Sequence, residues 1–231
     1  MLNTVFFLLF ILAHLIGDFV LQTNKIAAMK ASKLKGVLIH AGIVTAVQVV
    51  MMSAFGLNGV IAGLAGGIIH FFIDYLKLHI AKLGFIYFIV DQAVHLVVIL
   101  VLSIILQYQN SLYDIYLSYI KLAVIVIVIT YVSAVAVKIL VRDIFPGLKK
   151  DSFFARRERL LDTLTLTLIC ACFLLSVYLG AAAVALIVYF YYRLQKNLFK
   201  YITAVILIKY TAYTFLAFIF SIALKQAIMV F

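Results

Sequence analysis

Seven residues carry the chemistry this sequence offers: His14, Asp18, His40, His70, Asp74, Asp91 and His95. His14 and Asp18, His70 and Asp74, and Asp91 and His95 stand four residues apart, a step that keeps both side chains on one helix face. His40 stands alone between the first two pairs. Imidazole and carboxylate together suit a divalent cation, zinc or manganese above all. A closed structural zinc site takes four ligands, so seven candidates exceed one site. The surplus fits two metals sharing a carboxylate, or one metal whose histidines are oriented by further carboxylates. Bound water would become a nucleophile near neutral pH, with Asp18, Asp74 and Asp91 available for acid–base catalysis. Gln22, Gln92 and Lys77 stand close by in sequence, either as contacts to ligands or substrate or as ordinary interfacial polar residues.

The elements that must position these groups are apolar. Of 231 residues, 68% are hydrophobic and 12% charged, and the mean hydropathy is +1.25. A soluble domain carries about 45–50% apolar and about 25% charged residues, so a soluble fold is excluded. A membrane-crossing helix needs roughly 20 mostly apolar residues. Such runs fall near 3–22, 36–55, 57–76, 84–106, 117–141, 160–179, 181–193 and 201–224. The uncharged stretch 163–192 is too long for one crossing; Gly180 is the expected break, and 181–193 is short enough to be re-entrant. The expected fold is an all-α, polytopic transmembrane helix bundle with seven or eight membrane segments. It is one membrane domain over 1–231, with a polar-cluster half at 1–107 and a C-terminal half at 108–231.

Basic residues set the expected orientation. The net charge is +11, which in so apolar a chain points to cytoplasmic loops and not to nucleic acid. Sixteen of the nineteen Lys and Arg fall in alternate connections: after the first, third and fifth segments and beyond the seventh. The positive-inside rule then puts the N-terminus outside and the chain in the cytoplasmic (inner) membrane as a multi-pass protein. The basic connection 142–159 would face lipid headgroups, and Lys209 would snorkel to the aqueous face. The N-terminus lacks the basic n-region and small-residue cleavage site of a signal peptide. Cys170 and Cys172, two apart on a helix, point apart and read as small apolar residues. His79, between Lys77 and Lys82, reads as a loop residue.

Depth gives the polar residues their meaning. An Asp near a helix centre costs about 2.5–3.5 kcal/mol on insertion scales, and three are present. At 1.5 Å per residue, all seven groups can lie in the cytoplasmic half of the bilayer, each of the first four helices contributing a polar spot. Gly63 and Gly67 form a G-x-x-x-G that permits close helix approach. Three uses fit such a cluster: metal-dependent hydrolysis of a lipid or lipid-linked substrate, metal-ion or proton-coupled transport, or a structural role in a non-enzymatic protein. The sequence holds no Gly-rich phosphate loop, serine-hydrolase elbow or H-E-x-x-H. Its one glutamate, Glu158, lies in the basic loop, so an Asp of the cluster would serve as base.

The segments HLIGDFVLQ (14–22), HFFIDYLK (70–77) and DQAVHLVV (91–98), with His40 and the R-E-R at 157–159, carry a family likeness. In them the chain resembles the bacterial integral-membrane family catalogued as domain of unknown function 3307. The resemblance implies a membrane protein and leaves the activity open. Lys200–Tyr201 stands where the family carries a glutamate–tyrosine pair. The H-x-x-x-D pairs are also similar to those of membrane-bound metal-dependent hydrolase-like proteins, which implies metal-assisted hydrolysis. The C-terminal helices would act as scaffold or as a groove for a lipid tail.

Overall fold

The computed structural model describes residues 3–79, 84–106, 115–145, 156–195 and 202–228, and these are helical apart from caps and turns. Most of the 142–159 connection, Lys82, Lys196 and Lys200–Tyr201 lie outside the described residues. The chain divides into two compact units, Met1–Ile127 and Val128–Phe231.

In the first unit, α1 (Thr4–Leu15) is capped by Asn3, whose side chain accepts from the Phe6 N–H. It passes into a π-helical turn, Ile16–Val20. A break and a 93° bend lead to the short α2 (Asn24–Lys30), capped by Thr23. Then come α3 (Leu34–Met52), a 3₁₀ turn at Ser53–Phe55, α4 (Gly56–Lys77), α5 (Phe85–Ile105) and α6 (Leu117–Ile127). The α3–α4 pair is a tight hairpin. Gly56, at φ +66°, adopts a left-handed conformation that glycine takes without penalty and reverses the chain. Along the arms Gly59 abuts Met52, Gly63 abuts Val49, Gly66 abuts Gln48 and Gly67 abuts Thr45, so the two run antiparallel with almost nothing between their backbones.

One face of α4 thus reads Gly59, Gly63, Gly66, Gly67, His70, Asp74, all buried, while Leu57, Ile61, Leu64, Ile68, Phe72 and Leu76 are exposed on the other. That pattern is an inside-out helix, small and polar groups inward and large apolar groups outward, as lipid demands. The runs Leu34–Lys77, Phe85–Ile105 and Leu117–Ile144 are long and apolar enough to cross a membrane, and Thr4–Val20 with Asn24–Lys30 joins them if the bent pair is one span. The arms of the hairpin, 19 and 22 residues, each have about the length of one crossing.

The second unit holds a π-helical stretch (Val128–Val132), α7 (Ser133–Ile144), α8 (Arg156–Leu175), α9 (Val177–Gln195) and α10 (Ile202–Ile228). Apolar stretches of these helices include Leu164–Leu175, Val177–Tyr189 and Ile208–Ile222. Two expectations change here. The break in the long apolar run comes at Ser176, whose Oγ accepts from the Tyr178 N–H, and not at Gly180. Gly180 remains helical, its N–H donating to the Ser176 carbonyl; it is glycine because the Phe173 ring occupies the space of a side chain. Lys209 does not snorkel. It is buried, with Nζ 5.8 Å from the Tyr213 ring centroid and 6.0 Å from that of Tyr210, so aromatic faces take the place of water around the ammonium. Cys170 and Cys172 are free thiols.

Candidate metal centre

The seven residues singled out by type and spacing converge in the first unit. His14 comes from α1, Asp18 from the π turn, His40 from α3, His70 and Asp74 from α4, and Asp91 and His95 from α5. π turns place one side chain out of α-helical register. Here Asp18 is turned toward α3, and its neighbour Gly17 lies against Val44, where an added Cβ would come within 2.9 Å of the Val44 Cα. The absent side chain lets the two backbones approach until Asp18 Oδ1 lies 2.9 Å from His40 Nε2.

His40 Nε2 is the centre of the arrangement. It faces Asp18 Oδ1 at 2.9 Å, His70 Nε2 at 3.1 Å and Asp74 Oδ2 at 3.5 Å, and His70 Nε2 lies 3.2 Å from the same Asp74 oxygen. One imidazole nitrogen carries at most one proton, so these groups present more lone pairs than hydrogens to bridge them. With metal–ligand lengths of about 2.0–2.2 Å, the ligands of a tetrahedral ion stand about 3.3–3.6 Å apart, close to the spacings seen here. A second group adjoins the first: the His70 and His95 rings stack at 4.3 Å, and His14 lies 4.9 Å from His95 and 5.4 Å from His70. Among the described residues three triads bring one ligand atom each within 4.8 Å of the others: His14–His70–His95, Asp18–His40–His70 and Asp74–Asp91–His95. His14 Nε2 is buried without a hydrogen bond, while His95 Nε2 lies 3.3 Å from Asp91 Oδ1. An orphaned buried nitrogen is costly and is what a metal ion would satisfy.

Gln92 Nε2 donates to Asp18 Oδ2 and to Asp91 Oδ2, both at 3.2 Å, tying α5 to the π turn. Lys77 donates to Asp74 Oδ1 at 2.6 Å and pairs with Asp91. Gln22 lies beyond the π turn, half-buried, and none of the cluster distances above involves it. His79 sits in the turn after α4, against Tyr75.

Sequence reading missed two residues. Lys30 passes for one of four loop lysines, yet its Nζ lies 2.9 Å from Asp74 Oδ2 and 3.5 Å from Asp18 Oδ1. The 93° bend brings α2 back across the cluster, and Gly36 accepts the Met29–Lys30 backbone where any side chain would block it. No spacing rule announces such a bend. Gln48 is buried on α3 beside Phe10 and Gly66; its position eight residues after His40, on the same face, was a signal available in the sequence. Beyond the histidines the bundle is filled by Phe6, Phe10, Met52, Phe55, Ala62 and Ile99, all nearly or fully buried.

No curated protein and no solved structure matches this chain. A family model described as "Protein of unknown function (DUF3307)" matches residues 6–124, just over half of the sequence. The matched stretch includes all seven clustered His and Asp together with Lys30, Lys77 and Gln92. The chain belongs to the DUF3307 family.

Proposed function

We propose that the protein is a membrane-embedded, metal-dependent hydrolase acting on a lipid or lipid-linked substrate at the cytoplasmic leaflet. In this reading it is a multi-pass inner-membrane protein with its N-terminus outside and its basic connections in the cytoplasm. The observation that carries the reading is the buried triad Asp18, His40 and His70, one ligand atom of each within 4.8 Å of the others, with Asp74 Oδ2 3.5 Å from His40 Nε2 and 3.2 Å from His70 Nε2. His14 and His95 offer a second position beside it, so one or two divalent ions, zinc or manganese, would find ligands here.

A divalent ion held there would lower the pKa of a bound water toward neutrality. Asp91, at 17% side-chain exposure, is the most open of the three carboxylates and would take the proton of the attacking water, then return it to the leaving oxygen as hydroxide adds to the electrophilic centre of the substrate. Gln92 holds Asp91 and Asp18 in register through its two hydrogen bonds. The apolar filling beyond the histidines favours chemistry over transport, because a transported ion needs a wet path through the same volume.

The test is turnover by the full-length protein in phospholipid nanodiscs, loaded with zinc or manganese, with products identified by mass spectrometry. Metal-dependent release of a cleaved lipid, lost in Asp91→Asn while metal stays bound, supports the reading. A metal-loaded protein that cleaves neither phospholipids nor lipid-linked sugar carriers contradicts it.

A further inference from the structure

Among the described residues, Lys30 and Lys77 are the cluster's remaining charged groups, and a metal site alone does not explain them. Each bridges two carboxylates: Lys30 joins Asp18 and Asp74, and Lys77 joins Asp74 and Asp91. Their side chains are 18% and 26% exposed, whereas those of Asp18, His40, His70, Asp74 and His95 are at most 6%. The two lysine side chains, with Asp91 at 17%, are therefore the more open members of a largely closed site. Lys25, Lys33 and Lys35, all exposed, continue the positive charge along α2 and into α3.

The ammoniums grip Asp74 from both sides, Lys30 at Oδ2 (2.9 Å) and Lys77 at Oδ1 (2.6 Å). They are thus spaced to hold the two oxygens of one planar anion. The edge between two non-bridging oxygens of a phosphoryl group is of similar size. The oxygens Lys30 holds, Asp18 Oδ1 and Asp74 Oδ2, are those that face His40 and His70. A divalent cation on these ligands takes over the carboxylate charge that the lysines now neutralise. Three carboxylates, two ammoniums and one such ion leave a net positive site.

We propose that Lys30 and Lys77 form a phosphate clamp, so that the substrate is a phosphate-bearing amphiphile whose phosphoryl oxygens bind beside the metal. This rests on the metal-site reading above and extends it to a substrate class. Lysine binds such a group as a point charge, and a metal ion next to it supplies the remaining positive charge.

The experiment measures two affinities on the full-length protein, wild type and the Lys30→Gln, Lys77→Gln and Lys30→Arg variants. Zinc or manganese binding is titrated calorimetrically. Phosphate binding is then titrated with inorganic phosphate, and separately by transfer to nanodiscs of phosphatidic acid or of phosphatidylcholine. Each Lys→Gln change is expected to weaken phosphate binding by about tenfold or more, while metal binding is retained or tightened because a competing ammonium is gone. Lys30→Arg should restore most of the phosphate affinity. Preference for phosphatidic acid nanodiscs over inorganic phosphate supports a lipid headgroup, and the reverse preference overturns the amphiphile as substrate. Unchanged phosphate affinity in both Gln variants overturns the clamp, as does joint loss of metal and phosphate binding in all three variants, which marks the lysines as structural. If the wild type binds no metal, the metal reading fails by itself. Lysine-dependent phosphate binding to the metal-free protein then still supports the clamp, and its absence overturns that too.

Discussion

The α3–α4 hairpin sets the distance between His40 and His70, and Gly63→Ala tests that directly. A Cβ at Gly63 would stand 2.7 Å from the Val49 nitrogen, 2.8 Å from its Cα and 2.9 Å from the Gln48 carbonyl carbon. All three are backbone atoms, which cannot swing aside. Ordinary contact begins at 3.4 Å, so the arms must part by about 0.7 Å at this level. Overpacking of this kind costs about 1–3 kcal/mol, against a gain of up to about 1 kcal/mol from replacing a helical glycine. Gly42, on α3, has open space where a methyl group would stand, with nothing within 4 Å. It supplies the control, since Gly42→Ala collects the helical gain without the clash. In thermal unfolding in detergent, Gly63→Ala should unfold below wild type or near it, and Gly42→Ala at or above it. The difference between the variants should be about 1–3 kcal/mol, and Gly63→Ala should also bind zinc more weakly. A Gly63→Ala protein as stable as Gly42→Ala, with unchanged zinc affinity, would refute the close-packed hairpin as the device that sets the site.

Further outcomes follow from neighbouring contacts. Asp74→Asn removes the charge shared by Lys30 and Lys77, and should destabilise the metal-free protein by roughly 3 kcal/mol, the low end for breaking a buried pair because both ammoniums are partly exposed; chemical denaturation measures it. Gly17→Ala pushes the π turn off Val44 and draws Asp18 from His40, so metal affinity should fall about tenfold or more, the usual effect of disturbing a ligand's orientation, as read by calorimetry. Both cysteines should be alkylated by iodoacetamide in denatured, unreduced protein, and Cys170→Ala with Cys172→Ala should leave metal content unchanged.

How far the sequence revealed this site depends on what each feature required. The i,i+4 pairs were legible because helix geometry alone puts His70 with Asp74, and Asp91 with His95, on one face, and because burying such groups in lipid is too costly to be incidental. The family match over 6–124 falls on the same helices. Lys30 was not legible: its place depends on a broken helix and a glycine contact with the next helix, neither of which leaves a periodic trace. Gly180 misled for a related reason, since a glycine that ends a helix and one that admits a neighbouring ring look alike in sequence. Lys209 followed a rule for lysines near helix ends, and Tyr210 and Tyr213 changed its outcome by surrounding it in the fold.

The central claim is that the four-helix cluster is a metal site. The direct measurement is the metal content of purified full-length protein, stripped with chelator and re-equilibrated with zinc or manganese, determined by mass spectrometry with wild type, Asp18→Asn and Asp74→Asn side by side. The account predicts at least one tightly held divalent ion per wild-type chain and its loss in either variant. A wild-type protein that stays folded yet retains neither metal would contradict it.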